Sequence, residues 1–110
     1  MNPQLIADLE AARALIDTPE KWIKGMGAHS ASGMPVSIFG PDAVSFSIVG
    51  AFARSCGRGN VDREYAVICA LRAAMGVDEL MYLWNDAPER THAEVLELFD
   101  KAIANERSKA

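Results

Sequence analysis

The chain has 110 residues, of which 50% are apolar and 24% charged, and its formal net charge is −4 at pH 7. This length predicts a single globular domain over residues 1–110, and the composition excludes an intrinsically disordered chain. The acidic balance disfavours nucleic-acid binding, which needs clustered Lys and Arg, so we predict no nucleic-acid partner.

The N-terminal residues predict a cytoplasmic protein. Residues 1–8 carry no positive charge and include the acidic Asp8, so we expect no signal peptide. No apolar run approaches the ~20 residues that span a bilayer, so no membrane association is expected. The two cysteines, Cys56 and Cys69, are expected to be reduced and buried. Their spacing matches no zinc pattern, and we predict neither a metal nor a cofactor.

The first third of the chain predicts one helix followed by a small β element. Asn2 can cap a helix whose first residue is Pro3, and apolar residues recur at three- and four-residue steps up to Ile16. The glycines at 25, 27 and 33 make a further long helix improbable. We predict a hairpin-like element near residues 22–38, with arms 22–29 and 34–38 around a turn at 30–33.

The middle of the chain predicts a helical hairpin. Pro41 favours a helix start and Gly57 an end, which gives a helix over 41–56. Asn60 can cap a second helix over 61–75. Both helices are apolar nearly all round, so we predict a central buried pair. Either the terminal helices cover this pair, or a second molecule completes the core.

The last third predicts a short helix, a turn and a long helix. Asp78 can cap a short segment that contains Leu80 to Trp84, and Asn85 to Pro88 has the composition of a turn. Thr91 and Glu94 have the spacing of a capping box at the start of the final helix. The predicted fold is therefore α+β and predominantly α-helical, with four main helices.

The run from Trp84 to Ile103 is more specific than composition. It resembles the C-terminal signature W-N-D-x-P-x-R-T-x-x-E-V-L of a family of short bacterial and phage proteins of unknown function. Trp22 and Gly25, after the first helix, agree with the family in order. The likeness covers residues 5–105 and implies a mostly helical fold, without supplying an activity.

The turn after Trp84 has two interpretations. In the structural one, Asn85 and Asp86 bond the backbone of the turn, Arg90 pairs with Asp86, Trp84 fills the core and His92 is exposed. In the functional one, this region forms a binding surface. The residues of that candidate surface are Trp84, Asn85, Asp86, Arg90, His92 and Arg58.

Arg54, Arg58 and Arg63 form the one local cluster of positive charge, around a glycine-rich loop. Backbone amides of such a loop can bind an anion at the start of a helix. The spacing fits neither common nucleotide-binding motif, however, and a solvated turn is the preferred interpretation.

Two functions from different classes remain open. The first is a non-enzymatic, cytoplasmic protein-interaction module, carried by a phage or mobile element, that binds a protein partner or forms a homo-oligomer. The second is a small hydrolase or transferase that uses Ser47 or Cys56 as nucleophile, His92 or His29 as base and Asp86 or Asn85 as orienting group. No catalytic signature surrounds these residues, so we favour the interaction module and assign no catalytic residue.

Overall fold

A computed structural model describes residues 2–109; Met1 and Ala110, which the predicted domain includes, lie outside the described residues. The fold is α+β and mainly helical, as predicted. A 3-10 turn follows the first helix at Pro19–Lys21. The other elements, in chain order, are α1 (Pro3–Leu15), β1 (Ala28–His29), β2 (Ser45–Phe46), α2 (Ile48–Cys56), α3 (Val61–Met75), α4 (Met81–Asp86) and α5 (His92–Arg107).

The two short strands form an antiparallel pair in which Ala28 lies opposite Phe46. The predicted return of residues 34–38 after the turn at 30–33 is present in part, since the Ser30 N–H donates to the Met34 carbonyl at 2.8 Å, but the strand that pairs with β1 in the sheet is β2. The 34–38 segment contributes one isolated bridge, between His29 and Pro35, and the Val36 N–H donates to the Ala28 carbonyl at 3.2 Å. Burial explains the difference, because β2 is buried whereas most of residues 34–38 are exposed. The pairing of β1 with β2 therefore connects β1 to the core.

Helix α2 begins at Ile48, seven residues after the predicted start at Pro41. The backbone before it is occupied by the sheet: the Val44 N–H donates to the His29 carbonyl at 2.9 Å. Ser47 then caps the helix, since its hydroxyl accepts from the Gly50 N–H at 3.1 Å. The extended segment and the cap together displace the helix start.

The core lies between α1, α2 and α5, with α3 packed against α5. Leu9, Ile48 and Phe99 are fully buried in it. Helix α2 is mostly buried, as predicted, but α3 buries only the face that carries Val67 and Leu71. The terminal helices thus cover α2 and one face of α3, and the opposite face of α3 is open to solvent.

Two smaller predictions also need correction. Asp78 does not cap α4, because its carboxylate pairs with Arg72 of α3, and Leu80 occupies the cap position without a side-chain bond. Cys69 lies on the exposed face of α3, whereas Cys56 is buried as expected. Within residues 2–109, no helix is both long enough and apolar enough to cross a bilayer.

Candidate functional site

Asn85, at the end of α4, joins three segments of the chain. Its side chain is fully buried, and its Oδ1 accepts from the Trp22 indole N–H at 2.8 Å and from the Ile48 N–H at 3.1 Å. Its Nδ2 donates to the Ile23 carbonyl at 3.1 Å and to Asp86 Oδ1 at 2.8 Å. Both donor hydrogens and both acceptor positions of the amide are therefore used.

Asp86 and Lys24 extend this junction. Asp86 Oδ1 also accepts from the Gly25 N–H at 2.9 Å. The Lys24 ammonium donates to the Ala87 carbonyl at 2.8 Å and lies 5.4 Å from the centre of the Trp22 ring. The segment that follows the first helix is thus fixed to the turn after α4. These contacts give Asn85 a structural role, but its backbone partners lie in distant segments and not in its own turn, and Asp86 binds Gly25 instead of Arg90.

Arg90 fixes the turn from its other side. Its Nε donates to the Trp84 carbonyl at 2.9 Å, and its guanidinium stacks 3.7 Å from the centre of the Trp84 ring. Its Nη1 donates to the Glu94 carboxylate at 3.1 Å. Thr91 and Glu94 form the predicted capping box. Hydrogen bonds from the backbone and hydroxyl of Thr91, followed by the charge of Arg90, lower the pKa of Glu94. Trp84 is buried, as predicted.

His92 is not the exposed imidazole that the sequence predicted. It lies at the first position of α5, half-buried, with its Nε2 2.7 Å from the carbonyl oxygen of Ile16. Its ring also lies 6.3 Å from that of Trp22. The imidazole therefore completes the end of α1, because it satisfies the carbonyl of the cap residue there.

An apolar cleft of about 250 Å³ opens beside this junction, and we name it the Asp86 cleft. The side chain of Asp86 lines it, together with the hydroxyl-bearing Ser47 on the α2 side. Asp86 Oδ2 accepts no hydrogen bond from residues 2–109, and no ion pair in that range includes Asp86. The full lining is Gly25, Met26, Gly27, Ser47, Val49, Tyr82 and Asp86.

Three of the lining side chains were not predicted as site residues: Met26, Val49 and Tyr82. Tyr82 is 56% exposed, and Met26 is also exposed. Gly50 allows α2 to approach the cleft wall so closely that an added Cβ would lie 2.0 Å from the Gly27 carbonyl oxygen. In the sequence, the glycines at 25 and 27 predicted only that no long helix forms here. They did not predict a cleft.

The residues of the hydrolase hypothesis are not assembled into a catalytic group. Ser47 and Asp86 line one cleft, but neither candidate base lines it: His92 is bonded to Ile16, and His29 lies in β1. Cys56 lies at the opposite end of α2 from the Ser47 cap. Burial, together with the charge of Asp8, raises the pKa of Cys56 to about 11, so the thiol is protonated at neutral pH.

The arginines of the predicted anion-binding loop are engaged in protein contacts. Arg54 donates to the carbonyls of Ile38 and Gly40 at 2.8 and 2.9 Å. Arg63 forms a two-pronged pair with the buried Asp8, at 2.6 and 3.0 Å. Arg58 stacks 4.6 Å from the Phe39 ring centre and does not line the Asp86 cleft. Arg58 is therefore not joined to the residues near Trp84 with which it was grouped.

The fold and the site define a small, mainly helical protein in which the turn after α4 forms a structural junction beside an apolar cleft. The chain matches the Family of unknown function (DUF6197) over residues 1–105, and it belongs to that family. Comparison with curated proteins and comparison with solved structures gave no match. Within residues 2–109, no three His, Cys, Asp or Glu side chains are grouped so that they could hold a metal ion.

Proposed function

We propose that this protein is a non-enzymatic protein-interaction module that receives a Lys or Arg side chain of a partner protein in the Asp86 cleft. The observation that carries the proposal is the carboxylate of Asp86, which lines an apolar cleft without a positively charged partner in residues 2–109. A carboxylate in such a place favours a cation, because the apolar walls weaken the screening by water.

The orientation of Asp86 supports this role. Its Oδ1 is held by the Gly25 N–H and by the amide of Asn85, at 2.9 and 2.8 Å. Since Asn85 is itself fixed by three other hydrogen bonds, the carboxylate is positioned before a ligand arrives. Pre-organisation of this kind reduces the entropy that binding would otherwise cost.

The walls and the volume support a single long side chain as the occupant. Met26 and Tyr82 offer an adaptable thioether and an aromatic ring, and a ring face attracts an ammonium or guanidinium group. The volume of about 250 Å³ lies below the ~300–1,000 Å³ that is usual for small-molecule sites. The methylene stem of Lys or Arg can pack on these walls while its charged end meets Asp86.

The net charge of −4 agrees with a basic partner, because complementary charge increases the rate of encounter. A hydrolase or transferase receives less support: the Cys56 thiol is protonated, the Ser47 hydroxyl caps α2, and neither His92 nor His29 lines the cleft. The cytoplasmic location and the phage or mobile-element setting are further proposals. They rest on the N-terminal composition and on the resemblance of the Trp84 signature, respectively.

Selection of peptides from a random displayed library tests the proposal. We expect the bound peptides to share a Lys or Arg flanked by apolar residues. Asp86→Asn should weaken their binding about tenfold or more, a loss of ~1.4 kcal/mol. The substitution keeps an oxygen for the Gly25 N–H, so the fold should persist, which circular dichroism can verify.

The matched control is Asp42→Asn, which removes an exposed carboxylate outside the Asp86 cleft and should leave peptide affinity unchanged. Amide shifts on peptide addition should concentrate at the residues that line the cleft. Equal affinity of wild type and Asp86→Asn would overturn the proposal, as would selected peptides that contain no basic residue.

A further inference from the structure

Helix α3 carries a second unexplained surface, on the side turned away from the core. Val61 and Tyr65 are 69% and 68% exposed, and Cys69 is exposed four residues further along the same face. We call this surface the outer face of α3. Its members are Val61, Asp62, Tyr65, Cys69, Arg72 and Ala73, all of which are exposed.

The outer face lies opposite the packed face of the same helix. At 100° per residue, Val67, Ala70, Leu71 and Ala74 point to one side, and the members of the outer face point to the other. The helix therefore carries apolar side chains on both sides, with Asp62 and Arg72 also on the outer one, and the fold of one chain covers only the packed side. Large exposed apolar side chains in such a row are typical of an interaction surface.

We propose that two copies of this chain pair through the outer face of α3, with the two helices antiparallel. A two-fold axis that crosses the outer face at the level of the buried Val67, halfway between positions 61 and 73, sets residues at equal distances from that level opposite each other. Tyr65 of one copy then faces Cys69 of the other, and Val61 faces Ala73. Both contacts occur twice, because the axis exchanges the copies.

Charge complementarity selects this occupant and this direction. The outer face has an acid near its start, Asp62, and a base near its end, Arg72. The same axis sets Asp62 of each copy opposite Arg72 of the other, whereas a parallel arrangement would set like charges together. The existing partner of Arg72 is Asp78, which is 91% exposed, and an exposed pair of this kind is easily exchanged.

The size of the surface predicts a weak dimer. The outer face extends over twelve residue steps, or about 18 Å at a rise of 1.5 Å per residue. One helix pair of this length buries less than the ~1,200 Å² of the smallest standard interfaces. We therefore expect a dimer whose population depends on concentration between about 10 μM and 1 mM.

Sedimentation equilibrium over that range tests the pairing. Wild type should shift from monomer to dimer. Asp62→Arg should weaken the dimer about tenfold, because two arginines then meet at each end. The double variant Asp62→Arg/Arg72→Asp should restore most of the affinity. Both positions are exposed, so the fold should not depend on them, and circular dichroism verifies this for each variant.

Disulfide trapping tests the register. In Tyr65→Cys, the new thiol should lie close to Cys69 of the other copy, and mild oxidation should give a covalent dimer linked between positions 65 and 69. Ala11→Cys is the control, because it adds an exposed thiol on α1, outside the outer face. It should give at least tenfold less covalent dimer at equal concentration.

A wild-type chain that stays monomeric at 1 mM would overturn the proposal. A dimer that is insensitive to Asp62→Arg, or whose Tyr65→Cys crosslinks do not join positions 65 and 69, would overturn it as well. Each of these results would mean that the chain associates through another surface or does not associate.

Discussion

Asn85 combines complete burial with complete hydrogen bonding, and this makes it the most sensitive polar residue of the junction. Truncation by Asn85→Ala leaves the Ile48 N–H without its partner in the interior and frees the Trp22 indole and the Ile23 carbonyl. Each unsatisfied buried group costs about 1–3 kcal/mol. We expect Asn85→Ala to lower the free energy of unfolding by at least about 3 kcal/mol, measured by urea denaturation.

Two further variants separate the hydrogen bonds from general effects of substitution. Asn85→Asp keeps the acceptor oxygens but loses the donors and sets a carboxylate beside Asp86, so it should be about as destabilising. Asn105→Ala changes an exposed asparagine of α5 and should cost less than about 0.5 kcal/mol. Similar losses from Asn85→Ala and Asn105→Ala would contradict the role of Asn85 as a junction.

The buried thiol of Cys56 predicts a loss of stability at high pH. Its pKa is raised to about 11 in the folded chain, from an ordinary value of 9.0. Between pH 9 and 11 the unfolded chain therefore loses a proton that the folded chain still holds. The unfolding free energy should fall across that interval by an amount on the order of 2 kcal/mol.

Urea denaturation at a series of pH values between 8 and 11 measures the effect of Cys56. Cys56→Ala should be less stable at pH 8, because it leaves a small cavity, but its further loss up to pH 11 should be smaller than in wild type. Cys69→Ala removes an exposed thiol and should keep the wild-type dependence. Parallel curves for wild type and Cys56→Ala would contradict the assignment.

Among the secondary-structure elements, α2 depends on the absence of a side chain at Gly50. A Cβ there would lie 2.0 Å from the Gly27 carbonyl oxygen, a backbone atom that cannot turn aside. Gly50→Ala should therefore move α2 away from the Asp86 cleft wall and cost about 3 kcal/mol, near the upper end for overpacking. Gly33→Ala is the comparison, because it has open space but a φ of +84°, and it should cost about 1–2 kcal/mol.

Denaturation midpoints of the two glycine variants rank these effects. The Gly50→Ala variant should also weaken peptide binding at the Asp86 cleft, whereas Gly33→Ala should not. If Gly33→Ala is the more destabilising of the two, the close approach of α2 to Gly27 is not the reason that position 50 requires glycine.

Helix ends that rest on local chemistry were predicted well, and ends that rest on distant pairing were not. Asn2 caps α1 and the Thr91–Glu94 capping box begins α5, since the atoms that make these bonds lie within three residues. The start of α2 was misplaced because the segment before it pairs with β1, about 17 residues earlier in the chain. Proline at position 41 satisfies the local rule for a helix start, but the pairing outweighs it.

For the whole molecule, the composition predicted two outcomes for the apolar middle of the chain; the structure shows cover by the terminal helices for α2 and leaves the outer face of α3 uncovered. Helix α2 is covered by α1 and packed against the junction, whereas α3 leaves one side exposed. The sequence also predicted a candidate binding surface at Trp84 to Asp86, and of these three residues only Asp86 lines the Asp86 cleft. The sequence did not predict that Asn85 is buried while Asp86 lines the cleft. The two residues are adjacent and chemically similar, and only the geometry at the end of α4 points their side chains in different directions.

The Asp86 cleft and the outer face of α3 share no residue, and this predicts that the two interactions are separable. Asp86→Asn should lose affinity for selected peptides and keep the wild-type dimerisation constant. Asp62→Arg should lose dimerisation and keep the affinity for peptides, because no ionisable group of the cleft changes.

Peptide titration and sedimentation equilibrium on the same four proteins measure this separation: wild type, each single variant and the combination. The combined variant should show the sum of the two losses, since distant sites without shared partners are additive within about 0.5 kcal/mol. If Asp62→Arg weakens peptide binding as much as dimerisation, the cleft works only in the dimer, and a single copy is not the binding unit. If neither variant changes its own interaction, both surfaces are ordinary exposed protein.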